Sequence, residues 1–180
     1  MWQLTTHPAA DRTDLLAAPV AAAVAAWKHP TPVDRVQVAA IDPDLADTAN
    51  FCAAYGVPLD ASANCVVIAA RRGGRTRLAA CVVLATTRAD VNGVVRRRLE
   101  ARKASFAPQD EAVRQTGMEY GGITPVGLPE EWPVLVDAAV VARSHVVVGS
   151  GLRRSKLVLP GAALAELPNA QVVEDLARPV

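Results

Sequence analysis

The sequence predicts a single domain of the α+β class, and three observations lead to that prediction. The chain has 180 residues, of which 51% are hydrophobic and 21% charged, so it can bury a substantial core and is not disordered. Predicted strands outnumber predicted helices. The strands also occur in hairpins and not in regular strand–helix–strand alternation, which favours a mixed or antiparallel sheet with helices packed on it.

The first 32 residues are rich in alanine and predict an N-terminal helical extension on the main domain. Its helix covers residues 20–27, with Pro19 at the first turn, where the lack of an N–H is tolerated. The segment His29-Pro30-Thr31-Pro32 breaks this helix, so residues 33–180 are expected to form the main domain.

The central part of the chain predicts one strand, one helix and a β-hairpin. Residues 35–41 alternate like a strand and lead to Asp42-Pro43, which is a helix start signal, and Gly56 marks the end of that helix. Two apolar runs, 65–70 and 77–85, flank the turn sequence Arg71-Arg72-Gly73-Gly74, and this arrangement is typical of a hairpin.

A second central helix is predicted from Asp90, its N-cap, to about Ala101. Its apolar arc consists of four side chains, Val91, Val94, Val95 and Leu99. At 100° per residue Arg98 falls inside this arc, so its charge has to snorkel outwards or meet an anion.

The C-terminal part predicts short elements separated by turns. They are a helix over 108–115 that stops at Gly117, strands over 133–137, 145–148 and 156–159, and a last helix over 160–167. Gly149-Ser150-Gly151 forms a turn between the last two strands.

Charge, cysteines and motifs exclude several functional classes. The 19 basic and 18 acidic side chains give a net charge of +1, so a nucleic-acid surface has to be a local patch. Cys52, Cys65 and Cys81 form no C-x-x-C pair, which argues against a disulfide framework and a zinc site. No nucleotide-binding loop, metallopeptidase motif or serine-hydrolase elbow is present, and no nucleophile–base pair can be named. We expect neither a metal nor a cofactor.

The membrane signals are also absent. The near-apolar stretch 15–27 is shorter than the roughly 20 residues of a membrane span, and the first residues lack the pattern of a signal peptide. We therefore expect a soluble, cytoplasmic protein with no membrane partner.

Two glycine segments are the strongest chemical signal. Gly121-Gly122-Ile123-Thr124-Pro125 has the spacing G-x-x-x-P, in which glycines let the backbone approach a ligand and free N–H groups bind a carbonyl or an oxyanion. Gly149-Ser150-Gly151, followed by Arg153 and Arg154, is a candidate second backbone nest. Each segment on its own is also compatible with an ordinary turn.

These segments, with their order along the chain, resemble the YbaK/prolyl-tRNA-editing family of aminoacyl-tRNA deacylases. The likeness runs from about residue 42 to residue 175 and is carried by the segments Tyr55-Gly56-Val57-Pro58, Ala63-Asn64-Cys65-Val66-Val67-Ile68, Arg88-Ala89-Asp90-Val91-Asn92, Gly121-Gly122-Ile123-Thr124-Pro125-Val126-Gly127, Pro133-Val134-Leu135-Val136-Asp137 and Gly149-Ser150-Gly151 with Arg153. It implies a mixed, barrel-like β-sheet surrounded by helices. It also implies hydrolysis of the ester in a mischarged tRNA, typically alanine or cysteine on a proline tRNA, with the terminal ribose hydroxyl helping to activate water.

The resemblance also implies a set of site residues. Asn64, Gly121 and Gly122 are the expected catalytic positions. Contacts to the substrate are expected from Ile123, Thr124, Pro125, Asp137, Gly149, Ser150 and Gly151. Two positions depart from the family: Asn64 replaces its best-known lysine, and Lys156 stands where glutamine or an acidic residue is common.

The tRNA surface is expected to be made of arginine and lysine. The expected contacts to the acceptor end of an aminoacyl-tRNA are Arg98, Arg102, Lys103, Arg153 and Arg154, and a tRNA synthetase is a further candidate partner. Because Asn64 brings no charge, an alternative stays open in which the chain binds an aminoacyl-tRNA or a similar ligand without hydrolysing it.

Overall fold

The structure, a computed structural model, describes the whole chain from Met1 to Val180. Its strands are β1 (Thr6–Pro8), β2 (Gln37–Ala40), β3 (Ala63–Arg72), β4 (Arg75–Leu84), β5 (Thr87–Ala89), β6 (Lys103–Phe106), β7 (Val134–Asp137), β8 (Val146–Gly149), β9 (Ser155–Leu159), β10 (Ala170–Val173) and β11 (Ala177–Pro179). Its helices are α1 (Ala18–Ala25), α2 (Thr48–Tyr55), α3 (Arg96–Arg98), α4 (Gln109–Thr116), α5 (Ala138–Val141) and α6 (Gly161–Leu164). None of these helices has the length and hydropathy that a transmembrane segment requires.

The strands form three sheets, which confirms the predicted α+β class. Their orders are β1-β2-β9-β8, β10-β7-β4-β3-β6 and β11-β5. The five-stranded sheet is mixed. Strand β7 runs parallel to both β4 and β10, whereas β3 pairs antiparallel with β4 and with β6. The sheets do not close into a barrel.

The hairpin of β3 and β4 is the longest element and was predicted correctly. Its register runs from Ala63 opposite Leu84 to Arg72 opposite Arg75, and Gly73 and Gly74 form the turn with φ of 58° and 74°. Two consecutive positive φ angles give a turn whose twist matches that of the strands, and glycine adopts them without strain.

Both faces of this hairpin are buried, which explains why its strands are continuously apolar. Val82 and Leu84 enter the principal core, between the two large sheets, whereas Cys81 and Val83 enter a second core on the opposite face. A sheet covered on both sides has no solvent face, so the usual alternation of polar and apolar residues is lost.

The predicted helix after Asp90 begins with a wide turn, and this changes which side chains are buried. The N–H of Val95 donates to Asp90 O, five residues back, so residues Val91–Val95 form a π-helical turn before α3. Such a turn rotates the following residues relative to α-helical spacing. Leu99 is buried but Arg98 is exposed. The prediction that Arg98 lies within the apolar arc is therefore wrong, and its charge needs no special route to solvent.

The first 32 residues are packed into the same domain. β1 pairs with β2, and Leu15, Val20 and Val24 belong to the principal core. Helix α1 covers nearly the residues predicted for it, with Pro19 in its first turn.

Candidate functional site

A cavity of about 570 Å³ opens where β3 approaches β8 and β9. This volume lies within the range of small-molecule sites. Its walls come from five parts of the chain: the start of α2, the first half of β3, the segment from the end of β6 into α4, the glycine loop around Gly121, and strands β8 and β9. The residues that line it are Ala46, Asp47, Thr48, Ser62, Ala63, Asn64, Cys65, Val66, Val67, Phe106, Ala107, Gln109, Ala112, Tyr120, Gly121, Ile123, Val147, Val148, Gly149 and Lys156.

Asn64 lies in this cavity, as expected from the resemblance. The hydroxyl of Thr48, in the first turn of α2, donates to Asn64 Oδ1 over 2.8 Å. This bond orients the side-chain amide, because the oxygen is engaged and Nδ2 makes no hydrogen bond within the protein. The two N–H groups of Asn64 Nδ2 are therefore available to donate hydrogen bonds to a ligand in the cavity.

The two glycine segments found in the sequence lie directly against each other. Gly151 N donates to Gly122 O over 2.7 Å, and Glu119 N donates to Gly151 O over 2.8 Å. A Cβ on Gly122 would lie 2.8 Å from the backbone carbonyl of Leu152, so only glycine permits this approach. The segments thus form one backbone assembly at the edge of the cavity.

The glycine loop presents two free backbone donors. Gly121 and Ile123 line the cavity, and the N–H group of neither is hydrogen-bonded within the protein. Gly122 differs from the expectation, because its N–H donates to Glu119 O over 3.0 Å and the residue is buried outside the lining. Gly122 therefore shapes the loop, and the donors available to a ligand come from the residues on either side of it.

Lys156, on β9, is a buried cation in the wall of the cavity. It is only 9% exposed, its Nζ donates to Ala46 O over 3.2 Å, and the ammonium group lies 5.2 Å from the ring centre of Phe51. No carboxylate is within salt-bridge distance. Burial lowers the pKa of Lys156, with the charge of Arg153 acting in the same direction and that of Asp47 opposing it.

The cysteines supply no nucleophile. Cys65 lines the cavity, but burial raises its pKa, as it also raises the pKa of Cys52, and burial raises the pKa of Cys81 to about 12. All three thiols are therefore protonated near neutral pH and far less reactive than thiolates. No group of three His, Cys, Asp or Glu side chains is arranged to hold a metal ion.

Several expected substrate contacts lie outside the cavity. The hydroxyl of Ser150 bonds with Ser155 and with the carbonyl of Leu152, so it stabilises the second glycine turn. Asp137 caps α5 through Ala139 N and also accepts from Ala177 N. Gly151, Thr124 and Pro125 are buried next to the loop, whereas Gly149 and Ile123 are in the lining.

Thr124 is fully buried and its hydroxyl has no hydrogen-bond partner. A buried hydroxyl without a partner destabilises a protein by roughly 1–3 kcal/mol. We expect Thr124→Val, which keeps the shape and removes this group, to raise the free energy of unfolding by about 1 kcal/mol in urea denaturation. Activity should be unchanged, because the side chain does not line the cavity. A loss of activity at unchanged stability would instead place Thr124 at the ligand.

The residues expected to bind tRNA lie in two separate regions. Arg102 and Lys103 are exposed beside the hairpin end: Arg102 N donates to Arg71 O, and Lys103 pairs with Arg71 in the sheet. Arg72 lies beside them, and its guanidinium donates to Glu100 O. We define the basic face as the four residues Arg71, Arg72, Arg102 and Lys103. Arg98 is exposed in the helical turn that precedes it.

The other region lies near the cavity. The guanidinium of Arg153 donates to Tyr120 O over 3.3 Å and to Pro43 O over 3.2 Å, while its backbone N–H donates to Glu119 Oε1 over 2.8 Å. Arg153 therefore braces the glycine loop. Arg154 donates to Asp14 O and ties the second glycine turn to the N-terminal residues.

Most residues of the cavity lining were not among the expected site residues, and three of them carry chemistry used below: Lys156, Phe106 and Tyr120. Lys156 stands in the apolar strand Ser155–Leu159, where a charged side chain is a detectable irregularity. Phe106 and Tyr120 carry no pattern in the sequence, because a single aromatic side chain next to a turn or strand end is equally compatible with a core position.

Comparison with known proteins agrees with the fold and identifies the family. The model of the aminoacyl-tRNA editing domain family matches residues 42–167. Among solved structures, a candidate trans-editing enzyme for prolyl tRNA synthetase has a TM-score of 0.73 at 20% identity, with 88% of this chain and 94% of that chain covered. The hypothetical protein APE2540 has a TM-score of 0.70 at 22% identity, with 79% and 91% covered. At these identities the structural likeness establishes the fold, whereas the family model spans more than two thirds of the chain and confirms the resemblance seen in the sequence. The chain belongs to the aminoacyl-tRNA editing domain family.

Proposed function

We propose that the protein is a trans-editing deacylase that hydrolyses the ester joining a wrongly attached amino acid to the 3′-terminal ribose of a tRNA. We further assign it alanine or cysteine on a proline tRNA as substrate, and the cytoplasm as its place of action. One observation carries the proposal: a cavity lined by residues of the matched editing domain combines free backbone donors with a buried ammonium group. Both are suited to an ester carbonyl that becomes an oxyanion.

The proposed reaction follows from where the donors lie. Water adds to the ester carbonyl carbon, and the oxyanion that forms accepts hydrogen bonds from the N–H groups of Gly121 and Ile123. The bond between the carbonyl carbon and the ribose oxygen then breaks, and the ribose oxygen leaves with a proton. The proton released by the water passes through the neighbouring ribose hydroxyl, as in the mechanism that the family resemblance implies.

Lys156 takes the place of the missing family lysine in this proposal. Position 64 holds a neutral amide, but Lys156 brings a positive charge into the same cavity from β9. A hydrogen bond to a charged group contributes about 1.5–3 kcal/mol, against about 1 kcal/mol for a neutral one. This charge supports catalysis over the alternative in which the chain only binds its ligand.

The apolar wall is the proposed binding surface for the amino-acid side chain. It is formed by small and medium residues, Ala63, Val66, Val67, Ala107 and Ala112. Such a surface accepts an alanine or cysteine side chain, neither of which needs a charged partner.

The basic face and Arg98 are proposed to contact the acceptor stem. They are exposed, and their positive charges would neutralise phosphates with release of counterions. Affinity for tRNA should then fall with added salt.

The proposal is tested by deacylation of Ala-, Cys- and Ser-charged tRNA pools, with uncatalysed hydrolysis subtracted. We expect turnover of at least one pool. Asn64→Ala removes the Nδ2 donor and the partner of Thr48, so it should lower kcat/KM about fivefold to tenfold, as the loss of one neutral hydrogen bond predicts. Asn50→Ala, an exposed position on α2, is the matched control.

One result would contradict the proposed function, and another would contradict only the role of Asn64 in it. Tight binding of charged tRNA without turnover would support the non-catalytic alternative. Equal rates for Asn64→Ala and the native chain would remove Asn64 from the site while leaving deacylation in place.

A further inference from the structure

Two exposed aromatic side chains stand at the mouth of the cavity. Phe106 is 57% exposed and Tyr120 is 56% exposed, and both contribute to its lining. The other phenylalanine and tyrosine, Phe51 and Tyr55, are packed against each other in a third core. Large aromatic surface left in water is unfavourable, so its presence at two residues that line one cavity points to a ligand.

Phe106 lies on a strand that connects the cavity with the basic face. Strand β6 is the edge strand of the five-stranded sheet, and its Phe106 pairs with Ile68 while its Lys103 pairs with Arg71. Three residues of extended chain span about 10 Å. A cation therefore lies at about that distance along the edge strand, although Lys103 and Phe106, three residues apart, point to opposite faces of the sheet.

Tyr120 is held in a braced loop and needs little ordering on binding. Its carbonyl accepts from the guanidinium of Arg153, and the carboxylate of the preceding Glu119 accepts from Arg153 N. Gly122 N closes the same turn onto Glu119 O. A loop whose backbone is already ordered loses little conformational entropy when a ligand stacks on one of its side chains.

We propose that Phe106 and Tyr120 form a stacking site for the unpaired nucleobases at the 3′ end of the substrate, with the ester in the cavity and the preceding phosphates beside Lys103 and Arg102. This inference rests on the proposed function. Aromatic side chains next to cations are the usual surface for single-stranded nucleic acid, because every base offers a π-face and every nucleotide a phosphate. The edge position of β6 leaves room for such a strand to follow it.

The first test measures binding without turnover. The probe is an amide-linked alanyl-adenosine, which cannot be deacylated, titrated calorimetrically against the native chain, Phe106→Ala, Tyr120→Ala and the double variant. We expect each alanine variant to weaken binding about tenfold, whereas Phe106→Tyr and Tyr120→Phe, which keep the rings, should bind as the native chain does. Leu59→Ala, an exposed apolar position outside the cavity lining, should also bind normally.

The second test separates the base from the ester. The alanyl ester of 1,4-anhydroribitol keeps the ribose hydroxyl beside the ester but has no base. Phe106→Ala and Tyr120→Ala should therefore lose far less kcat/KM on this ester than on charged tRNA, for which KM should rise about tenfold while kcat changes little. Unchanged binding of the adenosine probe in the double variant would overturn the stacking site, even if deacylation is intact. Absence of turnover on every charged tRNA, with ring-dependent binding retained, would instead overturn the proposed function and leave the stacking site standing.

Discussion

Replacing Lys156 with methionine is expected to lower kcat/KM on mischarged tRNA at least tenfold without lowering the midpoint of thermal unfolding. The ammonium group is buried in the cavity wall with one carbonyl partner and no carboxylate partner. A lone buried charge is unfavourable for the folded state, and an apolar side chain of similar size relieves that penalty. Loss of a charged contact in the transition state accounts for the fall in rate.

The pH dependence follows from the lowered pKa of Lys156. The ammonium group of Lys156 loses its proton at a pH lower than the ordinary pKa of 10.5. The enzymatic rate constant, after subtraction of base hydrolysis, should therefore fall as the pH rises through this lowered pKa. The unfolded chain binds more protons than the folded chain between the two pKa values. The free energy of unfolding should therefore rise with pH across that interval, and this rise should vanish in Lys156→Met.

Two further lysine variants make this result interpretable. Lys28→Met alters an exposed lysine and should change neither rate nor stability. Lys156→Gln keeps a donor for Ala46 O but no charge, so it should fold normally and have an intermediate rate. Native activity in Lys156→Met would show that the charge takes no part in the reaction.

Replacing Gly121 with alanine is expected to lower kcat/KM by a factor of about 100 while the protein stays folded. Gly121 has φ of 82°, a conformation that costs alanine roughly 1–2 kcal/mol. The new Cβ would also meet the end of the Arg153 side chain, which can move but then releases its contact with Tyr120. Both effects displace the free N–H of residue 121, and loss of one oxyanion donor costs about 100-fold to 1,000-fold in kcat.

The matched control is Gly74→Ala in the hairpin turn. Gly74 has a similar φ of 74°, and a Cβ there meets nothing within 4 Å. It should lose a similar free energy of unfolding in urea and keep native activity. If Gly121→Ala were as active as Gly74→Ala, the N–H of residue 121 would have no role at the oxyanion.

Local features of the sequence were sufficient to predict much of this protein. Gly73 and Gly74 between two apolar runs predicted the central hairpin, since turn type and strand pairing depend on neighbouring residues. Gly117 predicted the end of α4 because a left-handed C-cap is a local requirement. The family resemblance rests on similarly local segments around Asn64 and Gly121, and both of these residues line the cavity.

Other properties depended on contacts between distant parts of the chain. Lys156 becomes a cavity residue because β9 pairs with β8, which in turn approaches the start of β3, almost 100 residues earlier in sequence. No spacing rule connects these strands. The free donors belong to Gly121 and Ile123 because the N–H of Gly122 donates to Glu119 O, a contact that no sequence motif indicates. Arg98 is exposed because a π-turn, closed by Val95 and Asp90, changed the helical spacing on which its prediction was based. The sequence thus determined the longer elements and the family, but not short strands such as β1 and β6. Tertiary packing decided which side chains share one cavity, because burial and proximity are set by partners that are remote along the chain.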